Sequence, residues 1–167
     1  MKMNTELVCR RYESPLGAML LAATDAGLAG VWFVGQRHEP QDVAWRAVPD
    51  HPVLQEAVRQ LQEYFEGTRT AFELPLDLAH GTPFQQSVWQ ALLAIPPGAT
   101  TSYAELGRQL GRPQAARAVG AAVGRNPVSI VVPCHRVLGK AGGLTGYAGG
   151  LERKTALLTL EGALGRH

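Results

Sequence analysis

The stretch TSYAELGRQLGRPQAARAVGAAVGRN, residues 101–126, carries the reading on which the fold turns. Ser102-Tyr103-Ala104-Glu105 has the spacing of a capping box, in which the serine hydroxyl takes the N3 amide and the glutamate reaches back to the N-cap amide. It predicts a helix that runs to about Leu110 and stops at Gly111, where a glycine readily takes the left-handed conformation that ends helices. Pro113 suits the opening of a further helix, to about Arg125, because its missing N–H is not needed in a first turn. Two helices joined by a three-residue turn containing glycine form the helix-turn-helix pattern.

The second of these helices has an unusual surface. Ala116, Val119 and Val123 share one face, suited to a core, while Gln114, Arg117, Ala118, Ala121 and Arg125 lie on the other sides with Gly120 and Gly124 nearby. A helix that reads base sequence presents long polar side chains to base edges. Hydrogen and methyl groups instead let a helix backbone approach something closely, either another helix or a nucleic acid. Arg108, Arg112, Arg117 and Arg125 around it favour a phosphate backbone, contacted without sequence preference.

Upstream, Thr82-Pro83-Phe84-Gln85 fits a capping box with proline at the first helical position. Phe84, Val88, Ala91, Leu92 and Ile95 line one face of its helix, and Pro96-Pro97-Gly98 ends it. Residues 68–81 are irregular, and the domain boundary is placed there. Before them, Leu54, Ala57, Val58, Leu61, Tyr64 and Phe65 recur at helical spacing between Pro52 and Gly67. Residues 35–50 are polar and read as a loop. Residues 5–34 read as an antiparallel meander, with turn signals at SPLG (14–17) and TDAG (24–27).

The chain has 167 residues, 46% hydrophobic and 18% charged, enough for one sizeable domain or two small ones without staples. Its apolar runs fall far short of the roughly 20 residues of a membrane span, and Met1 to Arg11 has no secretory pattern. The chain therefore reads as cytoplasmic. Its net charge of +2 is unevenly spread: residues 1–100 hold 7 basic and 11 acidic residues, residues 101–167 hold 9 and 3. A basic C-terminal part is suited to a polyanion, although charge alone is equally met by a solvated basic surface. Two cysteines, Cys9 and Cys134, make no metal spacing with the histidines, so no metal site is expected. Cys9 falls in an apparent strand and reads as a small packed residue.

Downstream of the helix pair, VSIVVP (128–133) reads as a short buried strand ending in Pro133-Cys134-His135-Arg136. A cysteine at such a strand end is either inert core or a nucleophile. Neighbouring positive charge would lower its pKa from the ordinary value of about 8.5. Adjacent residues on an extended chain point to opposite sides, so Cys134 and His135 share a proton only if the strand ends there or a water bridges them. Gly150 precedes a final helix, Leu151 to Glu161. Glu161 leans toward its apolar side and stands at its C-terminal end, where a negative charge is disfavoured by up to about 1 kcal/mol. Local rules broken twice at one residue mark either a functional site or a frayed last turn.

VGRNPVSIVVPCHRV (123–137) resembles the active-site segment of the O6-alkylguanine-DNA alkyltransferases, single-turnover DNA repair proteins. The likeness extends through TSYAELGRQLG (101–111), RAVGAA (117–122) and GYAGGLERKTALLTLEG (146–162), and is looser before residue 82. It implies an α+β protein: a small N-terminal antiparallel-sheet, ribonuclease H-like domain over 1–80, and a C-terminal helical domain over 81–167 with a winged-helix-like helix-turn-helix. It implies Cys134 as alkyl acceptor, His135 as its base through a water, and Glu161 orienting His135. Asn126 would brace the turn before the active-site segment, and Tyr103 would rotate the target phosphate and donate a proton toward the leaving base. Arg117 would fill the gap left by a flipped nucleotide. Ala118, Gly120, Ala121, Arg125 and Arg136 would contact DNA in the minor groove, largely independently of sequence. Val137, Tyr147, Ala148 and Gly149 would form the base pocket, with Ser129 and Thr145 at positions that set its width. The substrate would be O6-alkylguanine, with O4-alkylthymine a further candidate, in double-stranded DNA. The protein would act as a monomer, without metal or organic cofactor, and would be consumed in the reaction. Cooperation between copies on DNA stays open.

Three rivals remain in view. A lesion binder without chemistry would replace the acceptor cysteine, which is present. A transcriptional regulator would carry base-reading side chains on the second helix. A cysteine hydrolase would leave Arg117 and the alanine-glycine surface unexplained.

Overall fold

In a computed structural model, residues 7–41, 43–139 and 146–163 are described; Thr145 lies outside them. The chain divides into two compact units, Met1–His80 with Pro127–Ser129, and Gly81–Asn126 with Ile130–His167.

In the first unit β1 (Val8–Ser14), β2 (Gly17–Thr24) and β3 (Gly27–Phe33) form the expected meander, with Val8 opposite Ala23 and Met19 opposite Phe33. All seven residues of β3 are buried, and the sheet meets α1 (Pro52–Glu66), whose Leu54, Ala57, Val58, Leu61 and Tyr64 are buried. Pro52 stands at the start of α1, and Gly67, at φ 82°, closes it as a left-handed C-cap. The segment 35–50 is less of a loop than its polarity suggests. Trp45 stacks on Trp32 with ring centroids 5.7 Å apart. The next two residues form β4 (Arg46–Ala47), parallel to β1 at the sheet edge, giving the order β3-β2-β1-β4. A single half-buried tryptophan here outweighs the polar composition around it.

The second unit is helical. Thr82 caps α2 (Pro83–Leu93) with a full reciprocal capping box to Gln85. Ser102 caps α3 (Tyr103–Gln109), but Glu105 turns to Arg108 instead of back to the cap, so only the serine half of that box is made. The end of α3 has both Schellman bonds, Arg112 N–H to Gly107 O (2.8 Å) and Gly111 N–H to Arg108 O (3.0 Å), with Gly111 at φ 71°. The next helix, α4 (Ala116–Gly124), starts three residues later than the proline predicts. Pro113 and Gln114 lie in a turn closed by Ala115 N–H to Arg112 O (3.0 Å), and that turn uses the proline. The Trp89 indole N–H donates to Ala122 O at 2.9 Å, satisfying a carbonyl in the last turn of α4. Thr101–Ser102 (β5) pairs in parallel with Val137–Leu138 (β6), and α5 spans Leu151–Leu160.

The apolar run 128–133 is not a strand. Ile130 is buried with φ 73°, a left-handed conformation that a β-branched residue adopts at a cost of about 1–3 kcal/mol. Pro127 O and Ser129 N–H bond the two backbone groups of Val31, and then the chain reverses. A buried loop and a buried strand share the same apolar signature, and only the dihedral of Ile130 separates them.

Candidate active site

Cys134 opens a short 3-10 turn, Cys134–Arg136, that follows this strained loop. The extended chain ends before the cysteine, so the alternation that would separate Cys134 from His135 does not apply. All three residues of the turn are buried.

Asn126 caps the loop from the other side. Its Nδ2 donates to Val132 O at 2.8 Å, and its amide also hydrogen-bonds the Cys134 thiol. It thus ties the end of α4 to the residue before Pro133. From α5, Glu161 reaches back to the turn: its Oε2 lies 2.7 Å from His135 Nε2. A Schellman close places it there, with Ala163 N–H on Leu158 O (2.9 Å), Gly162 N–H on Thr159 O (3.0 Å) and Gly162 at φ 77°. The glutamate is therefore a buried partner and not part of a frayed turn; its side chain is 3% exposed.

Arg136, expected among the DNA contacts, is instead inside the protein. Its Nε donates to Glu161 Oε1 (2.8 Å), its Nη2 to Oε2 (2.9 Å) and its Nη1 to Ile95 O (2.6 Å). The sequence shows the charge of an arginine, not the direction its side chain takes. Lys154 was missed altogether. It is fully buried, and its Nζ donates to Val137 O at 2.6 Å. A signal was available: Lys154, Leu157, Leu158 and Glu161 stand at i, i+3, i+4 and i+7, so the lysine lies on the same apolar stripe as the misplaced glutamate.

Burial pushes the Cys134 thiol up to about 11, against the Asn126 hydrogen bond and the Lys154 charge, which both favour the thiolate. The resting group is therefore a thiol and not the lowered-pKa nucleophile that neighbouring charge suggested. Burial also holds His135 below its ordinary value; Glu161 opposes this, and the Arg136 and Lys154 charges add to it. Lys154 is pushed down to about 8 by burial, with Cys134 opposing. The cluster is a protonated sulfur beside a neutral imidazole, with the Lys154 cation placed to favour charge on sulfur once it forms. His135 Nδ1 is buried and has no hydrogen-bond partner among the described residues.

Of the expected pocket residues, Val137 and Tyr147 lie beside this turn. Tyr147 is buried, edge-on to the His135 ring at 6.5 Å. Gly149 is buried and Ala148 half-buried. Val137 is fully buried; its N–H bonds Cys134 O and its carbonyl takes the Lys154 ammonium. Ser129 is buried in the loop. Tyr103 starts α3, and its hydroxyl donates to Gly146 O at 3.4 Å.

On α4, Val119, Ala122 and Val123 face inward, while Arg117, Ala118, Ala121 and Arg125 are exposed. Gly120 is half-buried; a Cβ there would meet the Tyr103 ring at 3.7 Å, an ordinary contact. Arg108 pairs with Glu105, and Arg112 lies over the Phe84 ring. Arg117 and Arg125 have no ion pair among the described residues. Within the described residues no three metal-ligating side chains cluster, and no helix is long and apolar enough to cross a membrane.

Residues 83–163 match the family model described as 6-O-methylguanine DNA methyltransferase, DNA binding domain, and residues 7–78 match its ribonuclease-like domain. The methylated-DNA–protein-cysteine methyltransferase of Mycobacterium leprae is 52% identical over 153 residues, 92% of this chain and 91% of that protein. The protein of the same name from Methanosarcina acetivorans is 47% identical over 153 residues, 91% of this chain and 96% of that one. Among solved structures, Mycobacterium tuberculosis OGT in complex with DNA has a TM-score of 0.84 at 47% identity, covering 93% of each chain. Matched in both halves and across nine-tenths of its length, the chain belongs to the methylated-DNA–protein-cysteine methyltransferase family.

Proposed function

We propose that the protein repairs alkylated DNA by moving an alkyl group from a flipped-out base, chiefly from O6 of guanine, onto Sγ of Cys134. The observation that carries this reading is a buried thiol in contact with Asn126 and flanked by the Lys154 charge and the His135–Glu161 pair. Such surroundings serve a sulfur that must become an anion inside the protein.

The steps follow from the groups present. An alkyl group on O6 lies within the base stack, so the nucleotide has to be extruded, at a cost of a few kcal/mol, least for a poorly paired lesion. Exposed Arg117 on α4 occupies the space it leaves, and the small side chains of Ala118 and Ala121 let the helix lie close in the minor groove. Tyr103, at the start of α3, rotates the target phosphate. Once the base sits against Val137, Tyr147, Ala148 and Gly149, the thiol proton passes to His135 through one water, and Glu161 stabilises the imidazolium. Lys154 and Asn126 favour the thiolate, which attacks the alkyl carbon. The S–C bond forms as the C–O bond breaks, and the electron pair goes to O6. Tyr103 donates a proton to the leaving base and is reprotonated from His135. The net change is thiol plus alkylated base to thioether plus restored base. A thioether is stable to every nucleophile of the site, so each molecule acts once.

Cys134→Ala separates binding from chemistry. It is expected to abolish transfer from an O6-methylguanine oligonucleotide while leaving affinity for that oligonucleotide within a few fold, since the DNA contacts are assigned to α3 and α4. Loss of binding in a folded variant, or transfer that persists, contradicts the reading.

A further inference from the structure

The Glu161 carboxylate is held from three sides inside the protein. Arg136 Nε donates to Oε1 and Nη2 to Oε2, a two-pronged clamp, and the same Oε2 lies 2.7 Å from His135 Nε2. A third guanidinium nitrogen, Nη1, is fixed on the carbonyl of Ile95 just past the end of α2, at 2.6 Å. An arginine N–H can only donate, so both oxygens of Glu161 act as acceptors, and the contact to His135 Nε2 requires the imidazole to be the donor. A neutral imidazole has one N–H, so with Nε2 carrying it, Nδ1 is a bare lone pair. That atom is the buried one without a hydrogen-bond partner among the described residues.

We propose that Arg136 is a positioning residue of the transfer reaction: by clamping both oxygens of Glu161 it sets His135 in the tautomer protonated on Nε2 and keeps the ring neutral, so that Nδ1 is ready to take the thiol proton. The inference rests on the reading of Cys134 as acceptor. The charge balance supports it. The groups about His135 are its neighbours Cys134 and Arg136 on the same turn, Lys154 from α5, Glu161 just past the end of that helix, and the Tyr147 ring in an edge-to-face contact. Glu161 alone would favour the imidazolium, which has no lone pair to offer. Arg136 offsets that carboxylate at hydrogen-bond distance, and its cation lowers the imidazole's affinity for a proton. A lysine could supply the charge but not the planar three-point geometry.

The test is the pH dependence of single-turnover methyl transfer, measured from below to above the ordinary imidazole range, for the unaltered protein, Arg136→Gln and Arg136→Lys. In the unaltered protein the acid limb is expected below the ordinary histidine pKa, since burial disfavours the imidazolium. Arg136→Gln is expected to move that limb upward by about one unit, roughly tenfold slower transfer just below neutrality, with the rates converging at high pH. Arg136→Lys keeps the limb in place and lowers the plateau. A limb that stays put in Arg136→Gln, with transfer slowed equally at every pH, overturns the proposal, since a merely structural arginine would do that. If Arg136→Gln does not fold, nitrogen-15 NMR of the unaltered protein decides: a protonated Nε2 and a bare Nδ1 at neutral pH support the proposal, and the opposite tautomer overturns it. Failure of the unaltered protein to methylate Cys134 would overturn the functional reading instead, while the nitrogen shifts still decide the tautomer.

Discussion

At the scale of single residues, the site stores its reactivity as a protonated thiol. Burial pushes the Cys134 thiol up to about 11, so the folded protein holds that proton more tightly than the unfolded chain does. Stability from this source is complete below pH 9 and is lost as pH rises through 11. Lys154 works the other way: lowered from 10.5 to about 8, it makes the folded state bind fewer protons over that interval, so its contribution rises with pH. Comparing the unaltered protein with Cys134→Ala by urea unfolding largely removes the lysine's share. The stability difference between them should shrink by about 1–3 kcal/mol on crossing that alkaline range; a difference independent of pH would mean that the thiol is not held protonated. Lys154→Met, similar in length, should slow transfer by about tenfold or more, because a buried charge beside the developing thiolate is lost. It should also cost about 1–3 kcal/mol, because Val137 O is left without its donor. Unchanged single-turnover rates would remove Lys154 from the chemistry.

At the scale of elements, the two structures that matter are α4 and the loop from Pro127 to Pro133. The exposed face of α4 is built of methyl groups between Arg117 and Arg125. Lengthening it should therefore separate binding from folding. Ala121→Leu is expected to leave thermal stability nearly unchanged, as surface substitutions usually do within about 0.5 kcal/mol, and to weaken binding to duplex DNA measurably by fluorescence anisotropy. Undiminished affinity would show that α4 does not lie close against the duplex. The loop is where sequence reading stopped. Caps and periodicity are local signals, so α1, α2, the meander and α4 were legible to within a few residues. The path of 127–133 is decided by one positive φ at Ile130 and by the Asn126 side chain on Val132 O, and neither has a sequence signature. Arg136 escaped for a related reason: composition reports a charge, whereas its role depends on which way a long side chain is turned; Lys154 did have a signal, in the apolar stripe it shares with Leu157 and Leu158.

At the scale of the whole molecule, the uneven charge is the feature with a direct solution consequence. Residues 101–167 hold 9 basic and 3 acidic residues, so binding to undamaged duplex should weaken steeply with salt through counterion release and vary little with sequence. A flat salt response, or strong preference for one unmodified sequence, would favour a regulator over a repair protein. Alkylation should also be felt globally. It adds carbon to a filled site, which costs roughly 1–3 kcal/mol, out of the roughly 5–15 kcal/mol that holds a domain folded. Thermal midpoints should therefore fall in the order unmodified, methylated, benzylated. Equal or raised midpoints would show that the site beside Cys134 absorbs the group without strain. The central claim is more direct than any of these. Incubating the protein with an O6-methylguanine duplex and measuring its intact mass, followed by peptide mapping, reads the product itself. The account predicts a gain of one methyl group per molecule, located on Cys134 and not exceeded with excess substrate. No gain, repeated turnover without modification, or a methyl group on Cys9 would contradict it.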